Sequence, residues 1–197
     1  MRIRLSCLFL VLSQFSGIGQ AADLEIVIAQ VGSDVVATGT GSLADLAGLS
    51  LAASGISTNA LIRPGQSRIL VGGPGNFNIY NGLTVSGSLG TGGSDIFANS
   101  SSGLKFGLNG GGSSLWLTSS FTNGTSFNSS ATWTNKTLAD LGLTVGNTLN
   151  ATWNSGTRSL SVNVVPEPST YVLAGIGILT MLALARRTKL KTVQISS

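Results

Sequence analysis

Histidine is absent from this sequence of 197 residues, and cysteine occurs once, as Cys7. Ser-His-Asp and Cys-His catalytic arrangements depend on these side chains, and so do most zinc sites. A chain with a single cysteine also has no internal disulfide. We therefore predict no catalytic residue of these kinds, no metal and no cofactor, and a stability that comes from apolar burial and strand pairing.

Charge is also scarce, at 9% of residues, and the net charge of +4 with a pI of 9.7 is unevenly distributed. Arg2 and Arg4 open the chain and four basic residues stand near its end. The stretch between these ends holds five basic residues against six acidic ones. The acids are Asp23, Glu25, Asp34, Asp45, Asp95 and Asp140. A neutral middle gives no reason to expect a nucleic-acid partner.

Carboxylates alone can serve a glycoside hydrolase, which needs two acids at a set separation. Asp45 and Asp140 instead have the spacing of caps, because each follows a hydroxyl residue by three positions. Asp23 and Glu25 stand at the start of the neutral middle stretch, Asp34 lies in a turn, and Asp95 has no evident acidic partner. We therefore expect a non-enzymatic protein.

The N-terminus has the pattern of a secretory signal peptide. Basic residues precede an apolar segment over 5–15, and small residues follow. Gly19 and Ala21 suit the −3 and −1 positions, so we predict a signal peptide over 1–21, cut by signal peptidase between Ala21 and Ala22. Cys7 is an ordinary residue of its apolar segment.

The C-terminus combines a proline-rich motif, an apolar run and a basic cluster. The motif over 165–168 is Val165, Pro166, Glu167 and Pro168; the basic tail over 186–191 holds Arg186, Arg187, Lys189 and Lys191. Prolines fix φ and withhold N–H donors, so the motif should be extended and exposed. The run 171–185 spans about 22 Å as a helix, against about 30 Å of hydrocarbon. We expect a minimal transmembrane helix over 169–185, with a buried helix or a permanent anchor as alternatives.

This order of motif, apolar segment and arginines resembles the PEP-CTERM sorting signal of exported Gram-negative bacterial proteins. The resemblance covers roughly 165–191. It implies that exosortase, a membrane enzyme, processes the chain near the motif and recognises Pro166, Glu167 and Pro168. Segments 32–39, 137–146 and 150–156 also resemble a small exported domain of PEP-CTERM proteins that has no assigned activity.

Between these ends, residues 22–164 read as one all-β domain, a β-sandwich or jelly roll. Apolar residues alternate with polar ones over 149–153 and 160–164, and Asn154, Ser155 and Gly156 supply a turn, which predicts a hairpin. Further strands are predicted over 24–31, 35–40, 68–71, 77–80, 83–88, 95–98, 105–108 and 114–118. Segments 42–48 and 137–142 each predict a single helical turn.

Three binding features remain open. Trp116 lies between Leu115 and Leu117 and should be the most exposed tryptophan, a possible sugar contact, whereas Trp133 and Trp153 should be core. The glycine-rich segment 90–96 partly matches a calcium-binding repeat, but as one imperfect copy. Five N-x-Ser/Thr sequences could accept sugars: those of Asn99, Asn123, Asn128, Asn135 and Asn150.

Together these features predict a non-enzymatic surface or extracellular-matrix protein. It is expected to pass through an intermediate anchored in the inner membrane. The alternative is a carbohydrate-binding module that takes exopolysaccharide on exposed aromatics.

Overall fold

The computed structural model of the chain describes residues 22–167. These residues form fourteen strands, joined by turns and by three short 3₁₀ segments. In chain order the strands are β1 (Leu24–Val31), β2 (Asp34–Leu43), β3 (Ser50–Ser57), β4 (Leu61–Arg63), β5 (Arg68–Val71), β6 (Asn76–Asn81), β7 (Thr84–Gly87), β8 (Ile96–Phe97), β9 (Ser100–Ser102), β10 (Phe106–Asn109), β11 (Ser114–Thr118), β12 (Thr125–Trp133), β13 (Thr148–Trp153) and β14 (Arg158–Val165).

The strands form two seven-stranded sheets. Sheet A has the order β7-β13-β14-β1-β2-β12-β9, and sheet B has the order β3-β6-β11-β10-β5-β4-β8. The pair β1 and β14 is parallel, and the other strand pairs of both sheets are antiparallel. The first and last strands of residues 22–167 are therefore neighbours inside one sheet.

The main core lies between the two sheets. The ring of Phe106, from sheet B, meets that of Phe127, from sheet A, with centroids 4.8 Å apart. Leu24, Ile26 and Ile28 of β1 are fully buried in the same cluster. Burying a side chain of this size stabilises a fold by about 1.5–3 kcal/mol. The body is all-β with two packed sheets, as the sequence predicted.

The predicted hairpin is confirmed and comprises β13 and β14. Leu149, Ala151 and Trp153 are buried on one side of β13, and the alternate residues of β14 match them. The backbone has positive φ at Asn154, Ser155 and Gly156. Asparagine and glycine tolerate this conformation best, so the turn follows directly from local sequence.

The two predicted helical turns have different outcomes. The turn over 137–142 is confirmed: Asp140 accepts a hydrogen bond from the Thr137 amide, and Thr137 Oγ1 accepts one from the Asp140 amide. Gly142 ends it with φ +73°. The prediction for 42–48 is wrong, because β2 continues to Leu43, which is fully buried and pairs with Thr125 of β12.

Four strands were not predicted: β3, β4, β9 and β12. In β12 a serine, Ser129, occupies a buried position between Phe127 and Ala131, which hides the alternation. Small residues dominate β3, and β4 and β9 have three residues each, too few for a periodic pattern.

Candidate processing site at the end of the last strand

The proline motif begins where β14 ends. Val164 is buried in the core, and Val165 pairs with Ala29 of β1. Pro166 follows directly and lies outside the strand. Since proline has no N–H to donate, it stops the ladder at this position. No linker separates the folded body from the motif.

Two hydrogen bonds hold the last buried residue of β14. The Gly146 amide donates to the Val164 carbonyl at 2.8 Å, and the Val164 amide donates to the Asn147 carbonyl at 3.0 Å. Both partners belong to the segment that leads into β13. The strand is therefore anchored up to one residue before the motif.

The end of the sandwich from which the motif leaves is organised by one side chain, Gln30. Its amide nitrogen donates to the carbonyls of Gly32, Asp34 and Lys136, and its oxygen accepts from the Leu138 amide. These contacts join the β1–β2 turn to the segment after β12. We call this end of the sandwich, which contains Gln30, the β1–β2 turn and Val165, the exit end.

The opposite end of sheet A contains Ala22, Asp23 and a network of ion pairs. Arg158 contacts Asp23 at 3.2 Å and Asp45 at 2.6 Å. Hydrogen bonds from Arg158 and from the Ala47 amide lower the pKa of Asp45 below 3.8. A glycosidase acid needs a raised pKa, so this carboxylate has the wrong electrostatic environment for that role.

Asp95, for which no acidic partner was expected, forms an ion pair with a basic residue. Its carboxylate accepts from the Arg68 guanidinium at 3.1 and 3.3 Å. Within residues 22–167 no three His, Cys, Asp or Glu side chains cluster as metal ligands would. The glycine-rich segment 90–96 is instead attached by its backbone, since the Gly65 amide donates to the Gly92 carbonyl.

Trp116 is the most accessible of the three tryptophans, as predicted, but only 7% of its surface is accessible, so the expectation of a ring exposed for sugar contact is wrong. Phe77 stacks on the indole at 5.2 Å, and the Arg68 guanidinium lies 5.4 Å from its centroid. A second apolar cluster on sheet B, comprising Trp116, Phe77, Leu61 and Leu70, accounts for this burial. A sugar could stack on the ring only after displacing these neighbours.

The other aromatic and asparagine residues lie as follows. Trp133 and Trp153 are buried, as predicted. Tyr80 and Phe121 pack partly against the main core, and among residues 22–167 the ring of Phe97, which the sequence analysis had not singled out, is exposed. All five asparagines of the N-x-Ser/Thr sequences are exposed.

Several predicted features lie outside the described residues. These are the signal peptide over 1–21 with Ala21, the helix over 169–185, and the positions Pro168, Arg186, Arg187, Lys189 and Lys191. Ala22 is described and precedes β1. No helix within residues 22–167 is long and apolar enough to cross a membrane.

Within residues 22–167 the protein is a two-sheet β body whose last strand runs directly into a proline motif. The family model of the PEP-CTERM protein-sorting motif matches residues 164–187. The chain therefore carries a PEP-CTERM sorting motif at residues 164–187, and this motif implies export and membrane-associated processing by exosortase. The match includes Val164 and Val165, the last two residues of β14. No curated protein and no solved structure matches the chain.

Proposed function

We propose that the chain is a non-enzymatic protein of the cell surface or extracellular matrix of a Gram-negative bacterium. Signal peptidase cuts the chain between Ala21 and Ala22, so that Ala22 becomes the N-terminus. The segment 169–185 then holds the protein in the inner membrane until exosortase acts at Pro166, Glu167 and Pro168. The junction between β14 and the motif carries the proposal, because it presents the processing segment on a rigid base.

The proposal that the protein is not an enzyme is supported by the contacts of the acidic side chains. Asp34 accepts from the Asn135 amide, and Glu25 accepts from the Asn163 side chain. Asp23 and Asp45 share Arg158, Asp95 binds Arg68, and Asp140 caps a turn. Each of these six carboxylates has a structural contact.

A polar, nearly neutral exterior suits a protein that resides among exopolysaccharides, because such a surface has little electrostatic attraction for other polymers. In this proposal exopolysaccharide therefore surrounds the protein and is not its specific ligand. The buried indole of Trp116 gives the carbohydrate-binding alternative no observation in its favour.

Replacement of the two motif prolines tests the sorting step in the native host. Pro166→Ala together with Pro168→Ala should leave the chain at its uncut length in the membrane fraction, because the rigid extended segment is lost. Pro74→Ala is the matched control, since Pro74 is an exposed proline of the body. It should mature as the natural chain does.

Mass spectrometry of the mature C-terminus then tests the junction. We expect the last residue to be Val165 or a later one, because a cut further upstream would remove buried residues of β14. Normal maturation of the double proline variant, or a mature chain that ends before Val165, would contradict the proposal.

A further inference from the structure

Four strands stand at the edges of the two sheets, and one of them differs from the rest. Strands β7, β8 and β9 have four, two and three residues. The fourth, β3, has eight. Short edge strands are a common protection against pairing with other chains. That protection is missing at β3.

The surface of β3 is accessible along its whole length. Seven of its eight residues are exposed, and Ala53 is half-buried. Leu51 and Ile56 are 59% and 38% accessible, although both are apolar. Its hydrogen-bonded neighbour on one side is β6, and its other side is open within the described residues.

Charge and proline, two other protective devices, are also missing. No charged residue occurs from Leu46 to Ile62, and no proline lies in β3. Two register shifts of the kind that β-bulges produce do interrupt its pairing with β6, between Leu51 and Ala53 and between Ala53 and Ile56. A bulge increases the local twist and is itself one of the protective devices, so any pairing along β3 is limited to the short stretches between these irregularities.

We infer that β3 is a pairing edge for a second copy of this chain, joined antiparallel through β3 of each copy across a two-fold axis. Among the edges of a second copy, β3 is the matching one, because β7, β8 and β9 are too short to cover eight residues. The charges also favour it, since two uncharged edges meet without like-charge repulsion. A two-fold contact uses both long edges and therefore closes.

The small contact area makes the dimer weak. A standard stable interface buries about 1,600 Å², more than one eight-residue strand pair provides. Association should therefore depend on local concentration. Chains held together at a membrane or in a matrix have a higher local concentration than dilute protein, which favours the dimer.

Cysteine cross-linking of the full chain in membranes of the expressing host tests the inference. In a Cys7→Ser background, Ser54→Cys places a thiol near the middle of β3, close to its own copy in an antiparallel pair. A short bismaleimide should link this variant into a homodimer. Ser86→Cys is the control, because Ser86 is also exposed on an edge strand, β7 of sheet A.

A charge in β3 should weaken the link. Leu51→Lys, added to Ser54→Cys, should lower the cross-linked fraction about fivefold, because it brings like charges together across the new pair. Ile56→Lys provides a second, independent substitution on the same strand. Leu104→Lys adds the same charge to an exposed apolar position outside β3 and should leave the fraction unchanged.

Three results would overturn the inference. The first is equal cross-linking of Ser54→Cys and Ser86→Cys. The second is a yield that neither lysine substitution in β3 reduces. The third is a cross-link from Ser54→Cys to a different protein in place of a second copy.

Discussion

Gly39 shows how a single residue controls the distance between the sheets. It faces the core from β2, and a Cβ at this position would lie 2.5 Å from Cζ of Phe106 and 2.9 Å from Cγ2 of Val71. These neighbours belong to sheet B. The absence of a side chain therefore lets a phenyl ring from one sheet approach the backbone of the other.

We expect Gly39→Ala to destabilise the mature protein by about 1–3 kcal/mol, because the added methyl overpacks the site against Phe106. Denaturant unfolding measures this change. Gly93→Ala is the control, because nothing lies within 4 Å of a Cβ at Gly93, and its cost should stay within about 0.5 kcal/mol. Equal effects of the two substitutions would contradict this account of Gly39.

Arg158 accounts for part of the expected loss of folding stability at low pH. The pKa of Asp45 is lowered in the folded state, first by the hydrogen bond from Arg158. A lowered carboxyl pKa stabilises the fold above the unfolded pKa, near 3.8. That stability is lost as the pH falls through the folded pKa.

Arg158→Met should therefore flatten the decline of the free energy of unfolding between about pH 5 and pH 2. Urea unfolding across this range measures it. Asp45→Asn should flatten it similarly, and the double variant should add little. Some decline must remain, because the pKa of Asp140 is lowered separately by hydrogen bonds from Thr137. A decline as steep as that of the natural chain would refute the role of Arg158.

Individual strands differ in how well their surroundings protect their backbone hydrogen bonds from local opening. Strands β1 and β14 lie in the middle of sheet A and bury alternate side chains almost completely. Strands β7 and β9 form the edges of the same sheet and are mostly exposed. Local opening should therefore begin at the edges and reach the parallel pair last.

Hydrogen exchange followed by mass spectrometry should show this order. In dilute protein, where β3 is unpaired, peptides that cover Leu24–Val31 and Arg158–Val165 should exchange most slowly and those that cover Ser50–Ser57 and Thr84–Gly87 most rapidly, because amides at open edges lack one ladder partner. Rapid exchange in β14 would indicate a loosely held last strand and would remove the rigid base of the sorting motif.

At the scale of the whole body, the parallel pairing of β1 and β14 separates the two ends. Ala22 precedes β1 at the end of the sandwich where Arg158 joins Asp23 and Asp45. Val165 leaves from the exit end, beside the carbonyls that Gln30 binds. The site expected for signal peptidase and the sorting motif therefore belong to opposite ends of the body.

The amino-acid sequence alone was sufficient for the features that depend on near neighbours along the chain. The sorting motif, the β13–β14 hairpin and the capped turn at Thr137 are of this kind, because proline geometry, alternation and capping act over a few residues. The all-β class follows from the same local patterns. The signal peptide and the membrane helix remain predictions.

Only the tertiary structure decided which strands are neighbours and which faces are covered. Trp116 is buried because Phe77 and Arg68, from other strands, pack on it. Likewise β14 is central and β3 is an open edge because of pairings between segments far apart in sequence. Such pairings depend on the total burial of the assembled sheets, which the pattern of one strand does not contain.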